Sequence, residues 1–253
     1  MAIERLVSQD LPDIADIYDR FAALTADSAE LGGSLVLFAG LDRDGIAFAT
    51  AANIAGAASL GLEADVARAK AGIRNGAIDF LVNTLDEALR ILKNEIRKKN
   101  PVAVALVGDS REIVAEVVER GVQPEIVWGD VRGPSWRGAS MERLVERGAR
   151  RLDRNVISHD LVSWKVEQEP QRWLPALDRI VAEALDPADK TTPARRRWLE
   201  LAPRYLGRPL AHERCVRMTA VEWDQLREMS NQKDSWVPVV VTLSPRLSRP
   251  KAP

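Results

Sequence analysis

Five residues have the types and spacing to hold a phosphorylated ligand: Gly40, Gly45, Glu63, Gly108 and Asp109. Gly40 and Gly45 separate a short apolar run, Ser34 to Phe38, from a small-residue segment, Ala47 to Ala58. Glycines at that place let a backbone turn come close to an anion. Glu63 closes the next apolar run, where an acid can accept the hydroxyls of a ribose. Gly108 and Asp109 follow a further apolar run, Val102 to Val107, again where open parallel sheets bind ligands. An anion resting on a helix N-terminus, with an acid one strand away, is the chemistry of a βαβ dinucleotide-binding unit. Each residue also has a plainer reading: Glu63 as a surface acid, the glycines as turn formers, Asp109 as a helix cap. The glycine spacing departs from the dinucleotide pattern, because Asp42, Arg43 and Asp44 stand between Gly40 and Gly45. Two carboxylates there oppose a pyrophosphate, unless Arg43 turns inward and offsets them.

Other reactive side chains are scattered. His159 precedes Asp160, and His212 lies near Glu213 and Cys215. A Cys-His pair can be nucleophilic and two histidines with acids can hold a metal, but the spacing supports neither. No metal site and no catalytic residue is assigned. Arg195-Arg196-Arg197 is a cationic run at a helix start, able to bind an anion or an acidic surface and more often simply solvated.

These residues need elements to position them. Ser34 to Phe38 reads as a strand, Ala47 to Ala58 as a helix able to lie close to a sheet, and the stretch up to Glu63 as a second strand. Ahead of them, Leu11 to Leu24 carries apolar residues at helical spacing, with Asp10 as N-cap. Val66 to Ile73 is a short helix and Phe80 to Asn83 a strand. Thr84 and Glu87 form a capping box for the helix through Ile96. Val102 to Val107 is a strand apolar on both faces. A helix from Asp109 or Ser110 ends at Gly121, and Glu125 to Trp128 is a fifth strand. Met141 to Leu152, Trp173 to Leu185, Ala194 to Leu201 and Ala220 to Met229 read as helices, the last with a capping box of Thr219 and Glu222. Val239 to Leu243 is a late strand, and the tail 246–253 is expected to be disordered. Strands alternating with helical segments predict an α/β fold: a Rossmann-like parallel sheet with a mostly helical C-terminal extension.

A chain of 253 residues can bury a sizeable core. Its charge is uneven: 13 Lys+Arg against 21 Asp+Glu in residues 1–130, and 23 against 16 in residues 131–253. All seven tryptophans lie at 128 or beyond, and all four phenylalanines lie before it. The shift predicts a first domain of 1–130, an extension of 131–245 and a tail of 246–253. Opposite charges would draw the halves together and tryptophans would fill a core, a plainer account of the basic half than nucleic acid. A single cysteine and no export signal point to the cytoplasm, and no apolar run nears the roughly 20 residues of a membrane span. The partner expected is a small anionic molecule or nucleotide, with no membrane, and a homodimer is compatible.

Several of these segments together resemble the urocanase (urocanate hydratase) family. Ala39-Gly40-Leu41, Ile54-Ala55-Gly56-Ala57 and Glu63-Ala64-Asp65 are similar, without gaps, to its turn, the end of its small-residue helix and its strand-ending acid. Asp86-Glu87-Ala88-Leu89, Leu106-Val107-Gly108 and Arg120 to Val127 follow in order, so the resemblance covers Ser34 to Trp128. A fainter echo runs through Leu185 to Thr191, Trp198-Leu199, the segment around Cys215 and Val239 to Val241. The resemblance implies a Rossmann-like NAD-binding domain of a lyase in histidine metabolism, in which NAD+ is an electrophile forming an adduct with the substrate imidazole. In full-length urocanases this domain is an insertion between parts that complete the active site, more than this chain is expected to hold. The departures fall on the chemistry. The family's glycine-rich turn corresponds to Asp42 through Phe48, where only Gly45 and Ala47 match, and its TSAHD run is replaced by Trp128 to Arg132. The expectation is a shortened, degenerate member: a small-molecule or nucleotide-binding protein without urocanate hydratase activity. The alternative is a non-enzymatic interaction or regulatory subunit whose crevice is filled.

Overall fold

The structure is a computed structural model, and it describes residues 11–129, 139–152 and 160–231. By internal contacts the chain forms two compact units, Met1–Val156 and Ile157–Pro253.

The first unit is a six-stranded, wholly parallel sheet in the order β3-β4-β2-β1-β5-β6. Its strands are β1 (Leu35–Ala39), β2 (Ala58–Glu63), β3 (Phe80–Val82), β4 (Val102–Val107), β5 (Ile126–Trp128) and β6 (Arg150–Leu152). The helices are α1 (Ile14–Leu24), α2 (Arg43–Ala55), α3 (Val66–Arg74), α4 (Leu85–Lys98), α5 (Ser110–Glu119) and α6 (Ala139–Glu146). The connections between these parallel strands carry helices, which cover both faces of the sheet. From β1 the chain moves outward to β2, then returns to the other side of β1 as β5, so the strand order reverses between β1 and β5. Open sheets bind ligands outside the carboxyl ends of strands at such a point.

Alternation along the strands sorts the two faces. Leu35, Leu37, Leu60, Leu62, Val104 and Leu106 form one core with α4, α5 and α6. Across the sheet, Phe38 lies over Gly61, where a Cβ would stand 2.6 Å from its ring. α2 fits this side because its sequence is small and apolar: every residue from Gly45 to Ala55 is buried. Gly56 ends the helix in the left-handed region at φ 90°.

The described ends depart slightly from the sequence pattern. α1 starts at Ile14 with Asp13 as N-cap, closed by a reciprocal bond with Asp16; Asp10 lies outside the described residues. Thr84 caps α4 as expected, but Glu87 accepts from the Asn83 amide rather than from that of Thr84. Met141 to Leu152 is not one helix. Its first part is α6, and Arg150–Leu152 turns back into the sheet as β6 against β5. The compact unit therefore runs past residue 130, where composition changes. Three residues with two arginines carry no strand signature, and only pairing with β5 makes them one.

The second unit holds α7 (Pro170–Ala184), α8 (Thr192–Tyr205) and α9 (Ala220–Asn231), with a short 3-10 turn at Arg208–Leu210. It also contains an antiparallel pair, β7 (Leu161–Lys165) and β8 (Glu213–Arg217), absent from the helical reading of this region. Trp198 is fully buried and donates its indole N–H to the Cys215 carbonyl at 2.7 Å, which joins α8 to β8. The reciprocal bonds of Thr219 and Glu222 start α9 as the sequence predicts. Val239 to Leu243 and the tail 246–253 lie outside the described residues. Among the described residues no helix is long and apolar enough to cross a membrane.

Candidate functional site

The site lies where β1 turns into α2, beside the carboxyl end of β2. Gly40 leaves β1 at φ 87°, a conformation that suits glycine, and its amide continues the ladder to the Leu62 carbonyl at 2.8 Å. Gly45 sits in the first turn of α2 so close to this bend that a Cβ would lie 1.9 Å from the Gly40 carbonyl oxygen. Both glycines thus allow a close approach, and the approach is of the chain to itself.

Glu63 is at the carboxyl end of β2 but is not a surface acid; only 4% of it is exposed. Its Oε2 accepts from the Leu41 amide at 2.7 Å and its Oε1 from the Asp65 amide at 2.8 Å. Arg68 stands 3.8 Å from Oε2. Hydrogen bonds to an ionised group contribute about 1.5–3 kcal/mol each, so the carboxylate is firmly held on the turn. Asp42 is the N-cap of α2: its Oδ1 accepts from the Gly45 amide at 3.0 Å. Arg43 follows Asp42 as the first residue of α2. It is drawn to α1, with Nη2 at 2.6 Å from Asp16 and 3.5 Å from Asp13, and the Asp16 hydrogen bond raises its pKa. Gly108 continues the ladder from β4 to the Glu63 carbonyl, and Asp109 is the N-cap of α5, accepting from the Arg111 and Glu112 amides.

The reversal point between β1 and β5 is occupied by aromatic side chains. Trp128, the last residue of β5, is 1% exposed and stacks on Phe48 of α2 at 4.5 Å and 8°. Phe38 lies 6.4 Å from the same indole. Arg20 of α1 sets its guanidinium 5.4 Å from the Trp128 ring centroid and 3.7 Å from Asp44. Stacking adds about 0.5–1.5 kcal/mol beyond area burial, and a cation over the ring about as much again. No local pattern marks Arg20, which becomes part of the site only because α1 lies beside α2.

The remaining candidates are dispersed. Cys215 is buried, His212 pairs with Glu213 at 3.5 Å, and His159 lies outside the described residues. Among the described residues no cluster of metal-ligating side chains occurs. Arg195 is not a solvated cation. It is 3% exposed and binds Glu222 (2.8 Å), Asp189 (3.0 Å) and the Arg217 carbonyl. Burial alone would raise the Glu222 pKa, but Arg195 and the Thr219 and Asp186 amides more than offset this and lower it. These bonds join α8, α9 and β8.

Residues 17–130 match the family model of the urocanase Rossmann-like domain. The match spans the sheet through β5 and includes Gly40, Gly45, Glu63, Gly108 and Asp109. Among solved structures, PKMT2 from Rickettsia typhi in complex with AdoHcy aligns at 15% identity with a TM-score of 0.25. That alignment covers 87% of this chain and 37% of the other, so the chain spans well under half of that protein's length.

Within this urocanase-like domain the polar groups of the β1–α2 turn are bonded to the chain itself. A pyrophosphate needs free amides at the start of α2, and here Asp42 already takes the Gly45 amide. A ribose needs a free acid at the end of β2, and both oxygens of Glu63 are engaged by backbone. The residues of this turn do not fit NAD+ in the position that the resemblance implies.

Proposed function

We propose that this chain is a urocanase-like protein that does not hydrate urocanate and acts without catalysis, as an interaction or regulatory protein whose own side chains fill its crevice. The observation that carries this reading is the aromatic filling at the strand-order reversal: Phe48 stacked on Trp128, with the Arg20 guanidinium beside the same ring. The filling comes from within the first unit, from α1, α2 and β5, rather than from the basic second half. A reaction on NAD+ needs the nicotinamide and substrate placed with near-attack precision, and an indole stacked on Phe48 at the strand-order reversal supplies no polar group to place them. The self-bonded carboxylates at the β1–α2 turn support the same reading.

A second reading is favoured by the domain match alone: a small anionic molecule or nucleotide is held without catalysis. One set of measurements separates the two. The purified chain is titrated with NAD+ in a calorimeter, its acid-denatured supernatant is assayed for released nucleotide, and urocanate absorbance is followed with rising protein. No heat, no nucleotide and no loss of urocanate are expected. Released nucleotide without urocanate turnover would establish the second reading. Loss of urocanate in proportion to protein, abolished by Glu63→Ala, would overturn both.

A further inference from the structure

The edge of the parallel sheet at β3 differs from the rest of the first unit in charge and in apolar exposure. Residues 66–99, which hold α3, β3 and α4, carry eight Lys+Arg against four Asp+Glu, whereas the remainder of residues 1–130 carries five against 17. Three of the four large apolar side chains exposed among the described residues, Val66, Ile73 and Phe80, lie on α3 and β3, which are in contact. Val66, Lys70 and Ile73 are four and three residues apart and so share one side of α3. Lys70 and Arg74 of α3, and Arg90, Lys93 and Arg97 of α4, are exposed and have no carboxylate partner among the described residues. The acids of this region are engaged locally: Asp79 by the Ala103 amide, Glu87 by the Asn83 amide, Asp86 by Arg120 and Glu95 by Lys98. β3 pairs with β4 alone, so among the described residues its outer edge is unpaired, a template for a further strand. We infer that the β3 edge docks a short, extended segment of a partner protein, acidic and apolar in alternation, which adds to the sheet beside β3. Its apolar side chains meet Phe80 and its carboxylates face the cations of α3 and α4. Charge and main-chain chemistry select this occupant. A second copy joined about a twofold axis would set the basic edge against itself. A lipid surface would leave the strand's main-chain groups without partners, whereas an added strand satisfies them. The inference rests on the reading of the chain as an interaction protein, and it names the surface and the chemistry of the partner.

Fluorescence anisotropy of a labelled peptide of alternating valine and glutamate, titrated with the whole chain, tests this. Saturable binding is expected, weakened by salt and about tenfold weaker for Lys70→Glu combined with Arg74→Glu. Phe80→Thr keeps a strand former at the edge and should weaken binding without lowering the melting temperature, since Phe80 is 48% exposed. The counterpart peptide with lysine for glutamate should not bind, nor should one N-methylated along its backbone, which has no amide to donate. Should Phe80→Thr melt lower than the parent, the charge-reversed variant alone decides. No binding to the parent, or equal binding to parent and charge-reversed variant, would overturn the inference. So would a concentration-dependent dimer in light scattering that Phe80→Thr abolishes, which gives the edge to a second copy. Co-sedimentation with phosphatidylserine vesicles that is lost in the charge-reversed variant would overturn it in favour of a membrane surface. Nucleotide release or urocanate turnover by the parent bears on the functional reading alone, and peptide binding at β3 bears on this inference alone.

Discussion

Replacing Asp178 by Asn tests which of two opposing effects wins in the second unit. Asp178 lies on α7, 9% exposed, with Oδ2 at 3.2 Å from Nε of Arg214 on β8. Burial pushes its carboxyl from 3.8 up to about 6, against the opposing pull of the Arg214 guanidinium and, more weakly, of the Trp164 indole. Desolvation therefore outweighs the ion pair. Between those two pH values the folded chain holds a proton that the unfolded chain has released. Stability from this group accordingly rises as pH falls through about 6 and levels off below about 4. A displacement of about two pH units, at roughly 1.4 kcal/mol each, is a penalty of about 3 kcal/mol carried in full above pH 6. Asp178→Asn removes the charge and keeps an oxygen to accept from Arg214. Above pH 7 the variant should be more stable than the parent by about 1–3 kcal/mol, the lower figure allowing for a weaker hydrogen bond. The advantage should vanish near pH 4. Urea unfolding of both proteins from pH 7.5 to 4.5, followed by tryptophan fluorescence, gives the difference directly. The comparison cancels the contribution of carboxylates such as Glu222, whose lowered pKa gives an opposite slope. A difference independent of pH would refute the reasoning. So would a variant destabilised at pH 7.5 by the 3–5 kcal/mol typical of a broken buried pair.

Two further outcomes follow from close packing and from the second buried pair. Gly45→Ala places a Cβ 1.9 Å from the Gly40 carbonyl oxygen, a contact only a backbone shift can relieve, so the chain should lose about 1–3 kcal/mol; an unchanged melting temperature would contradict the close approach. Glu222→Gln leaves Arg195, 3% exposed, with Asp189 as its remaining carboxylate, and should cost about 3–5 kcal/mol at pH 7. Because the Glu222 pKa is lowered, its contribution is present above about 4.5 and lost as pH falls below it. Denaturant titration at pH 7 and pH 3.5 should therefore show the gap between parent and variant narrowing in acid.

The sequence by itself determined the alternation of strands and helices from Ser34 to Trp128. It did so because each signal is local: apolar runs of five or six residues, small residues along α2, and caps such as Thr84 and Asp109 beside the helices they start. It also marked Glu63 and the two glycines as special, since their places follow from that alternation. What these residues bind was decided only by tertiary structure. Parallel pairing of β1 with β2 sets Ala39 beside Leu62, and this brings Glu63 to the Leu41 amide; no local pattern tells whether a strand-end acid meets a ligand or its own backbone. The same holds for Arg195. A run of three arginines reads as solvated until α9 delivers Glu222 from 27 residues away. β6, β7 and β8 were not legible because they are short and rich in charge or mixed in pattern, and each is a strand only by virtue of the partner beside it. Spacing along the chain fixes where a side chain starts; the partner that satisfies it is chosen by contacts between distant segments, whose free energy no neighbouring residue encodes.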